Sequence, residues 1–532
     1  MEKRKRRMLL AVVSLTMILT LALYGARPAE SAVPPKVPTG TVTIAMSTLH
    51  EGTFLPWNGG FARSFYLSPI YELPVYIDPE TGKLIPGLAT KWEMSPDAKT
   101  WTFWIRQGVQ FHEGWGEVTA EDVKYTIEKI LAPESIVGPA SPMRALIDKV
   151  EAPEKYKIIV SLKTPDNELP RGYFSNGGGP VWVVCKKYIE TVGAEKANAH
   201  PIGTGPFTLE EAKRGSFIKL KAIAGVEKHW RVNPDFQNIT FLIVPEEATR
   251  VAMLRAGEVD LAPINFDSVD AVKAAGLNIL SIPYSWSPYI ALGGMVEPKP
   301  ARYNPKNPWV DKRVRQALNY AIDKEAIVKQ IFHGGAKPAG GQSAIREWLD
   351  IKPYPYDPAK AKQLLKEAGY PDGFKITLKT YTTSPGAELP VIGEAVAMYW
   401  QAIGLNVTIV PIDYPSHRSA WTTDKAIDYC FTHRGQGFPT AVSVINAGFL
   451  STSAFCVYAT AKTESMLKVI KEELDPVKRE ALAREMGQYI NDEAGIVFLA
   501  FANEPYGASK QLGKWPTLSV IPINFDLITR AR

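Results

Sequence analysis

Residues 100–123, TWTFWIRQGVQFHEGWGEVTAEDV, hold three tryptophans, a His-Glu pair and a group of acids. Such a stretch is either a reactive centre or architecture. Its periodicity points to architecture. Trp101, Phe103 and Ile105 fall on one face of a strand, and Thr102, Trp104 and Arg106 on the other. Gly114 and Gly116 then mark a turn. Thr119, with Asp122 three residues later, is a helix start, followed by Val123, Ile127, Ile130 and Leu131 at helical spacing. The stretch predicts a strand, a turn and a capped helix.

The same alternation runs along the chain. TVTIAM (41–46) is an opening strand. EEATRVAMLRAGEVDLAPI is a helix stopped by Gly257, then a short strand. DKRVRQALNYAI places Val314, Leu318, Ala321 and Ile322 on one helical face. DPAKAKQLLKEAGY has Asp357 as cap, Pro358 in the first turn, an apolar stripe through Ala361, Leu364, Leu365 and Ala368, and Gly369 as stop. VIGEAVAMYWQAIGLNVTIV is a helix ended near Gly404, then a strand. DPVKREALAREMGQYINDEAGIVFLAF repeats helix then strand. Alternation of this kind predicts α/β layers with mostly parallel pairing and ligand crevices at strand ends. LNILSIPYSWSPYIALGG (277–294) and IVFLAFANEPYGASK (496–510) are the candidates for crossings between two lobes, the second bringing the C-terminal tail back. Lobes joined by two strands can hinge.

The 532 residues are 45% hydrophobic and 22% charged, a globular composition long enough for more than one core. MEKRKRR, the uncharged MLLAVVSLTMILTLALY and the small, polar GARPAESA follow the order of a secretory signal over residues 1–32. An uncleaved anchor is the other reading, although the apolar run falls short of a span of about 20 residues. Residues 1–32 carry six of the 61 Lys/Arg and two of the 55 Asp/Glu, so most of the formal +6 charge resides there. The near-neutral remainder gives no electrostatic case for a nucleic-acid partner. The three cysteines exclude a disulfide scaffold. Cys430 and Cys456 either pair in an oxidising compartment or stay as buried thiols.

No chemistry stands out. His112-Glu113 lacks the second histidine of a zinc helix, and the other histidines have no ligand spacing. GGG (177–179) and GTG (203–205) lack the residues of a phosphate loop, and no G-x-S-x-G occurs. Tryptophans on a period-two strand belong to a core, and acids at a helix start favour its dipole. The expectation is a binding protein with no catalytic residues, no metal and no cofactor.

GLATKWEMSPDAKTWTFWIRQGVQFHEGWGEVTAEDV (87–123) resembles a stretch of the family 5 extracellular solute-binding proteins, the peptide/nickel-type receptors of ABC importers. PIGTGPFTL (201–209), VRQALNYAIDKEAIV (314–328) and AIGLNVTIV (402–410) match the same family in order. The resemblance implies a two-lobed periplasmic binding protein-like fold of class II type, with an extra subdomain in the first lobe. The implied division is a signal peptide over 1–32, lobe I over 33–282 with the subdomain within about 62–200, lobe II over 283–498, and a C-terminal return over 499–532. It also implies a monomer outside the cytoplasm that captures a small molecule or peptide and delivers it to ABC permease subunits in the membrane. A peptide-handling chaperone or sensor, or a hydrolase on the same scaffold, are the alternatives.

The family's ligand lies between the lobes. Carried over, the loop after the first strand offers Trp57 and Asn58, the crossing strand Trp286 and Tyr289, and the return strand Asn503 and Tyr506. Peptide-binding members often read GWxADYPDP in a second-lobe loop, where the Asp holds the α-amino group. Here YCFTHRGQGFPTAV (429–442) puts Arg434 at the Trp and Gly437 at the Asp. Both peptide-defining residues are missing. His433 and Arg434 instead offer donors suited to a carboxylate, phosphate or polyol, unless Arg434 pairs with an internal acid such as Asp428.

Overall fold

The computed structural model describes residues 37–49, 53–59, 63–343, 345–383, 386–422, 427–436, 440–516 and 524–532. The signal segment expected over 1–32 lies outside them. Thr100–Ile105 is a strand that buries Trp101, Phe103 and Ile105. Helix Ala120–Leu131 begins at Thr119, whose side chain forms a reciprocal capping box with Asp122, and it buries Val123, Ile127 and Ile130. Such a cap stabilises a helix by about 1 kcal/mol. The strand belongs to an antiparallel sheet of order Ala89–Met94, Thr100–Ile105, Lys157–Leu162, Ile147–Glu154.

His112 ties the turn of this stretch to another motif. Its backbone N–H donates to Gly203 O at 2.9 Å, and Gly203 N–H donates to Nδ1 at 3.3 Å. Nε2 lies 2.8 Å from Gly205 O. The ring therefore donates at Nε2 and accepts at Nδ1. Burial lowers its pKa to about 4 and keeps it neutral. Residues 100–123 and 201–209, separate in sequence, form one packed unit.

Among the described residues one sheet joins 12 strands. Its path runs Asn406–Pro411, Lys375–Thr380, Cys430–Gln436, Asn278–Leu292, Ala500–Ala508, Leu261–Pro263, Thr41–Met46, Asn238–Ile243, Phe217–Ala222 and Phe207–Lys213. The expectation of mostly parallel pairing is corrected here. Parallel ladders join Thr41–Met46 to its two neighbours, and Lys375–Thr380 to its own two. The middle of the sheet is antiparallel. The cause is the connection itself: the chain goes out along Asn278–Leu292 and comes back along Ala500–Ala508. An outgoing and a returning strand side by side must run in opposite directions.

Two large hydrophobic cores flank that crossing. One gathers buried residues from Val42 to Ile282 and again from Tyr506 to Ile528. The other gathers residues from Phe266 to Ala502. The outgoing strand changes core between Ile282 and Trp286, the return strand between Ala502 and Tyr506. Both fall in the stretches read as crossings. The helices end as their caps predict: Asp357 accepts from Lys360 N–H at 2.8 Å, and Gly257 takes a left-handed φ of 74°.

The C-terminal tail is fastened to the first core by a buried ion network. Arg231 Nε is 2.6 Å from Glu72 Oε2 and its Nη2 is 2.5 Å from Asp526 Oδ2. Tyr76 OH donates to Glu72 Oε2 at 2.5 Å, and the guanidinium lies over the Tyr76 ring. Burial opposes the charge on Arg231, but Glu72, Tyr76 and Asp526 outweigh it and hold its pKa well above the ordinary value. Cys185, Cys430 and Cys456 are all buried free thiols.

Candidate functional site

The crossing is irregular where the cores change over. Ile282 pairs with Glu504 and Trp286 with Ala502, so the four steps from Ile282 to Trp286 face two steps on the return strand. The excess forms a bulge that carries Tyr284 at a φ of 51°. For a bulky side chain this conformation costs about 1–3 kcal/mol and survives only when its surroundings fix it. Asn503 Oδ1 fixes it by accepting from Tyr284 N–H at 3.0 Å. Ser285 Oγ donates to Glu504 Oε2 at 2.9 Å, and Tyr506 OH to Oε1 at 3.3 Å. Burial pushes the Glu504 carboxyl up, while Ser285, Tyr506 and Arg434 pull it down.

On the other side of the outgoing strand, His433 faces Tyr289, with ring centroids 5.3 Å apart. Its Nδ1 is 2.6 Å from Tyr381 OH, and the Trp421 ring stands edge-on at 4.6 Å. Burial, then His417 and Arg434, drive its pKa down to about 3. His433 is thus a neutral ring that orders a phenol. Arg434 is half-buried. Burial lowers its pKa, offset by Tyr381, Glu504 and Tyr414; the acid acting on it is Glu504, not Asp428.

His417 completes this aromatic wall. It is fully buried, lies near-parallel to Tyr381 at 5.2 Å and to Trp421 at 6.0 Å, and among the described residues neither ring nitrogen has a hydrogen-bond partner. Burial, then Lys379, lowers its pKa to about 4. Above pH 6.5 the imidazole is neutral folded or unfolded. Below it the unfolded chain takes up a proton that the folded one refuses, so folding weakens as pH falls toward about 4. His417→Phe is therefore expected to stabilise the fold by about 1–3 kcal/mol at pH 7. The gap should widen below pH 6.5 by up to about 1.4 kcal/mol per pH unit. Urea denaturation of both proteins from pH 8 to 4.5 checks this; parallel stability curves would refute it.

Between the two cores lies a cavity of about 730 Å³. Trp101, Asn167, Glu168 and Arg171 line it from the first side, and Tyr284, Ser343, Arg346, Glu347, Thr440, Arg479 and Glu480 from the second. Its rim is bonded across. Asn167 Nδ2 donates to Glu473 O at 3.0 Å and Leu474 O at 3.2 Å. Arg479 Nη2 is 3.3 Å from Glu168 Oε1, and Arg346 Nη1 donates to Thr81 O at 3.5 Å.

Of the residues expected from the sequence, Trp286, Tyr289, His433, Arg434, Asn503 and Tyr506 lie on or beside the crossing, Trp57 packs in the first core, and none of those described lines this cavity. Trp57 is 7% exposed, with its ring edge-on to Tyr125, and Asn58 sits in a turn with its N–H on Leu55 O. Trp286 packs against Phe332 in the second core. Tyr289, His433 and Arg434 form the wall described above; Asn503 and Tyr506 hold the bulge and Glu504. Gly437 lies outside the described residues. Sequence reasoning missed Tyr284, Glu347 and Arg479. Only Tyr284 left a signal, standing in the charge-free crossing stretch. Among the described residues no helix is long and apolar enough to cross a membrane.

A family model described as bacterial extracellular solute-binding proteins, family 5 Middle, matches residues 83–455. Over 301 residues the chain is 35% identical to a glutathione-binding protein of Pectobacterium atrosepticum, covering 56% of this chain and 55% of that protein. It is 29% identical over 381 residues to a dipeptide-binding protein of Escherichia coli, covering 65% and 66%. The chain thus spans between about half and two thirds of these curated relatives. In fold it is similar to the ABC transporter substrate-binding protein CtaP of Listeria monocytogenes, with a TM-score of 0.77 at 22% identity over 93% of this chain and 99% of that one.

Proposed function

The chain belongs to the bacterial extracellular solute-binding proteins of family 5, and on that premise we propose that it captures a solute between two hinged lobes and delivers it to an ABC permease. The observation that carries this reading is the cavity of about 730 Å³, lined from both cores, beside the two strands that join them. A ligand in such a gap touches both walls only when they are together. Its binding energy then favours the closed arrangement, the form a permease distinguishes from the empty one. The protein works as a monomer outside the cytoplasm, after export directed by residues 1–32, and releases the solute unchanged.

The solute carries an acceptor group, of carboxylate type, that reaches past the cavity wall to Arg434 beside the crossing. Glutathione and dipeptides, for which two relatives are named, both end in carboxylates. Arg434 stands beside the crossing with Tyr381, Tyr414 and Glu504 as its electrostatic neighbours. A planar guanidinium in a partly dry site recognises such a group with strong, charge-assisted hydrogen bonds. Tyr289 and His433 form the adjoining aromatic surface, and Asn503 and Tyr506 the frame of the floor.

Native mass spectrometry of freshly purified protein identifies the solute by the mass it adds. Calorimetry with that solute should then give a Kd about 10- to 100-fold weaker for Arg434→Ala than for the natural chain. An unchanged Kd would remove Arg434 from the site. A solute recovered chemically altered after incubation would overturn the receptor reading itself.

A further inference from the structure

The two strands that join the cores let go of each other at one level. Ile282 pairs with Glu504 and Trp286 with Ala502, and no ladder pair stands between these two. Pro283, Tyr284 and Ser285 face Asn503 alone. A bend between two bodies concentrates where the joining strands hold each other least, at a few residues that absorb the change in φ and ψ. Among the described residues five other than glycine have a positive φ. Ala98, Glu113, His333 and Ala494 stand in bends, turns or a short helical turn; Tyr284 alone stands inside a strand.

We propose that Tyr284 is a strained hinge residue, whose left-handed backbone belongs to the arrangement with the rim bonded across and relaxes when the lobes part. The inference rests on the receptor reading above and adds what drives release. A hinge that needed only freedom would be served by glycine, which takes this φ at no steric cost. Tyrosine does not, so the rim-bonded arrangement carries a penalty that the parted one escapes. Two side chains of the return strand clamp the bulge. Asn503 Oδ1 accepts from Tyr284 N–H at 3.0 Å, while Asn503 N–H donates to Gly335 O at 2.9 Å, so the pin is itself fastened on the side of the second core. One residue on, Ser285 Oγ donates to Glu504 Oε2 at 2.9 Å.

The same residue faces the cavity. Tyr284 lines it, with its ring 6.1 Å from that of Phe501 and 4.7 Å from Lys337 Nζ. Hinge strain and cavity wall therefore meet in one side chain. The strain weakens the grip on every solute by the same factor, because it lowers the closed fraction and leaves the contacts with the solute alone. It also favours the opening that hands the solute on.

Pulsed electron–electron double resonance on the full chain tests this, with spin labels on Lys83→Cys and Lys478→Cys, one on each side of the rim. The native cysteines are buried and stay unlabelled. The readout is the ratio of short to long label separations. Tyr284→Ala and Tyr284→Gly both lose the ring and differ in their tolerance of a positive φ. The glycine variant should show a ratio about fivefold or more above the alanine variant. Tyr284→Asn, which also tolerates the left-handed region, should exceed alanine too, and it carries the comparison if the glycine variant does not fold. Asn503→Ala should lower the ratio about fivefold against the natural chain, because the pin is gone. A merely structural role would move melting midpoints and leave the ratios alone. Equal ratios in the alanine, glycine and asparagine variants would overturn the inference and leave the receptor reading intact. A single separation shared by the natural chain and every variant would overturn both, since the lobes would then not part.

Discussion

Arg231→Met should unfold with about 3–5 kcal/mol less stability than the natural chain, one of the largest losses that a single side chain here can cause. The cost does not come from the attraction lost. It comes from what is left behind. The Glu72 side chain is fully buried and Asp526 is 3% exposed. Without the guanidinium both are carboxylates in an apolar core with no counter-charge. His229, 3.8 Å from Glu72 Oε1, is the nearest cation-forming group, and Tyr76 OH supplies one hydrogen bond. Neither replaces a buried fork. A second consequence is local. Asp526 belongs to the tail that packs Trp515 and Phe525 on the first core, with their rings stacked at 5.0 Å. Releasing Asp526 should expose residues 524–532 to carboxypeptidase before the whole chain unfolds. Adding Glu72→Gln removes one of the stranded charges and should recover part of the loss. Urea denaturation of the three proteins decides: an Arg231→Met midpoint that matches the natural chain would mean the network contributes nothing.

What the sequence made legible follows the range of each interaction. Thr119 and Asp122 could be paired by eye because a capping box is closed within one turn. The outgoing crossing could be seen because a strand buried on both faces excludes charge over a long run, and Ile282 and Trp286 are buried in the cores on either side. The direction of pairing was misread because helix–strand alternation reports what lies between strands, and an outgoing strand beside a returning one overrides it. The cavity was invisible for a different reason. Lys83, Arg171, Glu347 and Arg479 come from segments far apart, and each reads locally as an ordinary surface charge. Their meaning arises only when the two cores face each other. The bulge at Tyr284 was equally hidden, because nothing in its own residue type announces a positive φ, and the Asn503 that stabilises it comes from the far end of the chain.

Gly203→Ala should be at least as damaging, at more than about 4 kcal/mol, and for a purely steric reason. A Cβ at this position would stand 2.0 Å from Ile70 O and 2.8 Å from Ile70 C. Those are backbone atoms of a fully buried residue, and Ile70 O already accepts from Gly205 N–H at 2.8 Å. Nothing there can swing aside as the end of a long side chain would. Relief requires moving residues 203–205 away from Ile70, which also drags them off His112, bonded to Gly203 through its backbone and its ring. Gly205 is under the same constraint, since its Cβ would meet Pro69 O at 2.3 Å. The contrast is Gly215, where φ is +72° and a Cβ would find no atom within 4 Å. There an alanine suffers only a left-handed backbone and should cost about 1 kcal/mol. The two substitutions change the same atoms, so their difference isolates the close approach of two chain segments. If denaturation shows Gly203→Ala and Gly215→Ala equally mild, residues 203–205 do not lie against the backbone of Ile70 as described.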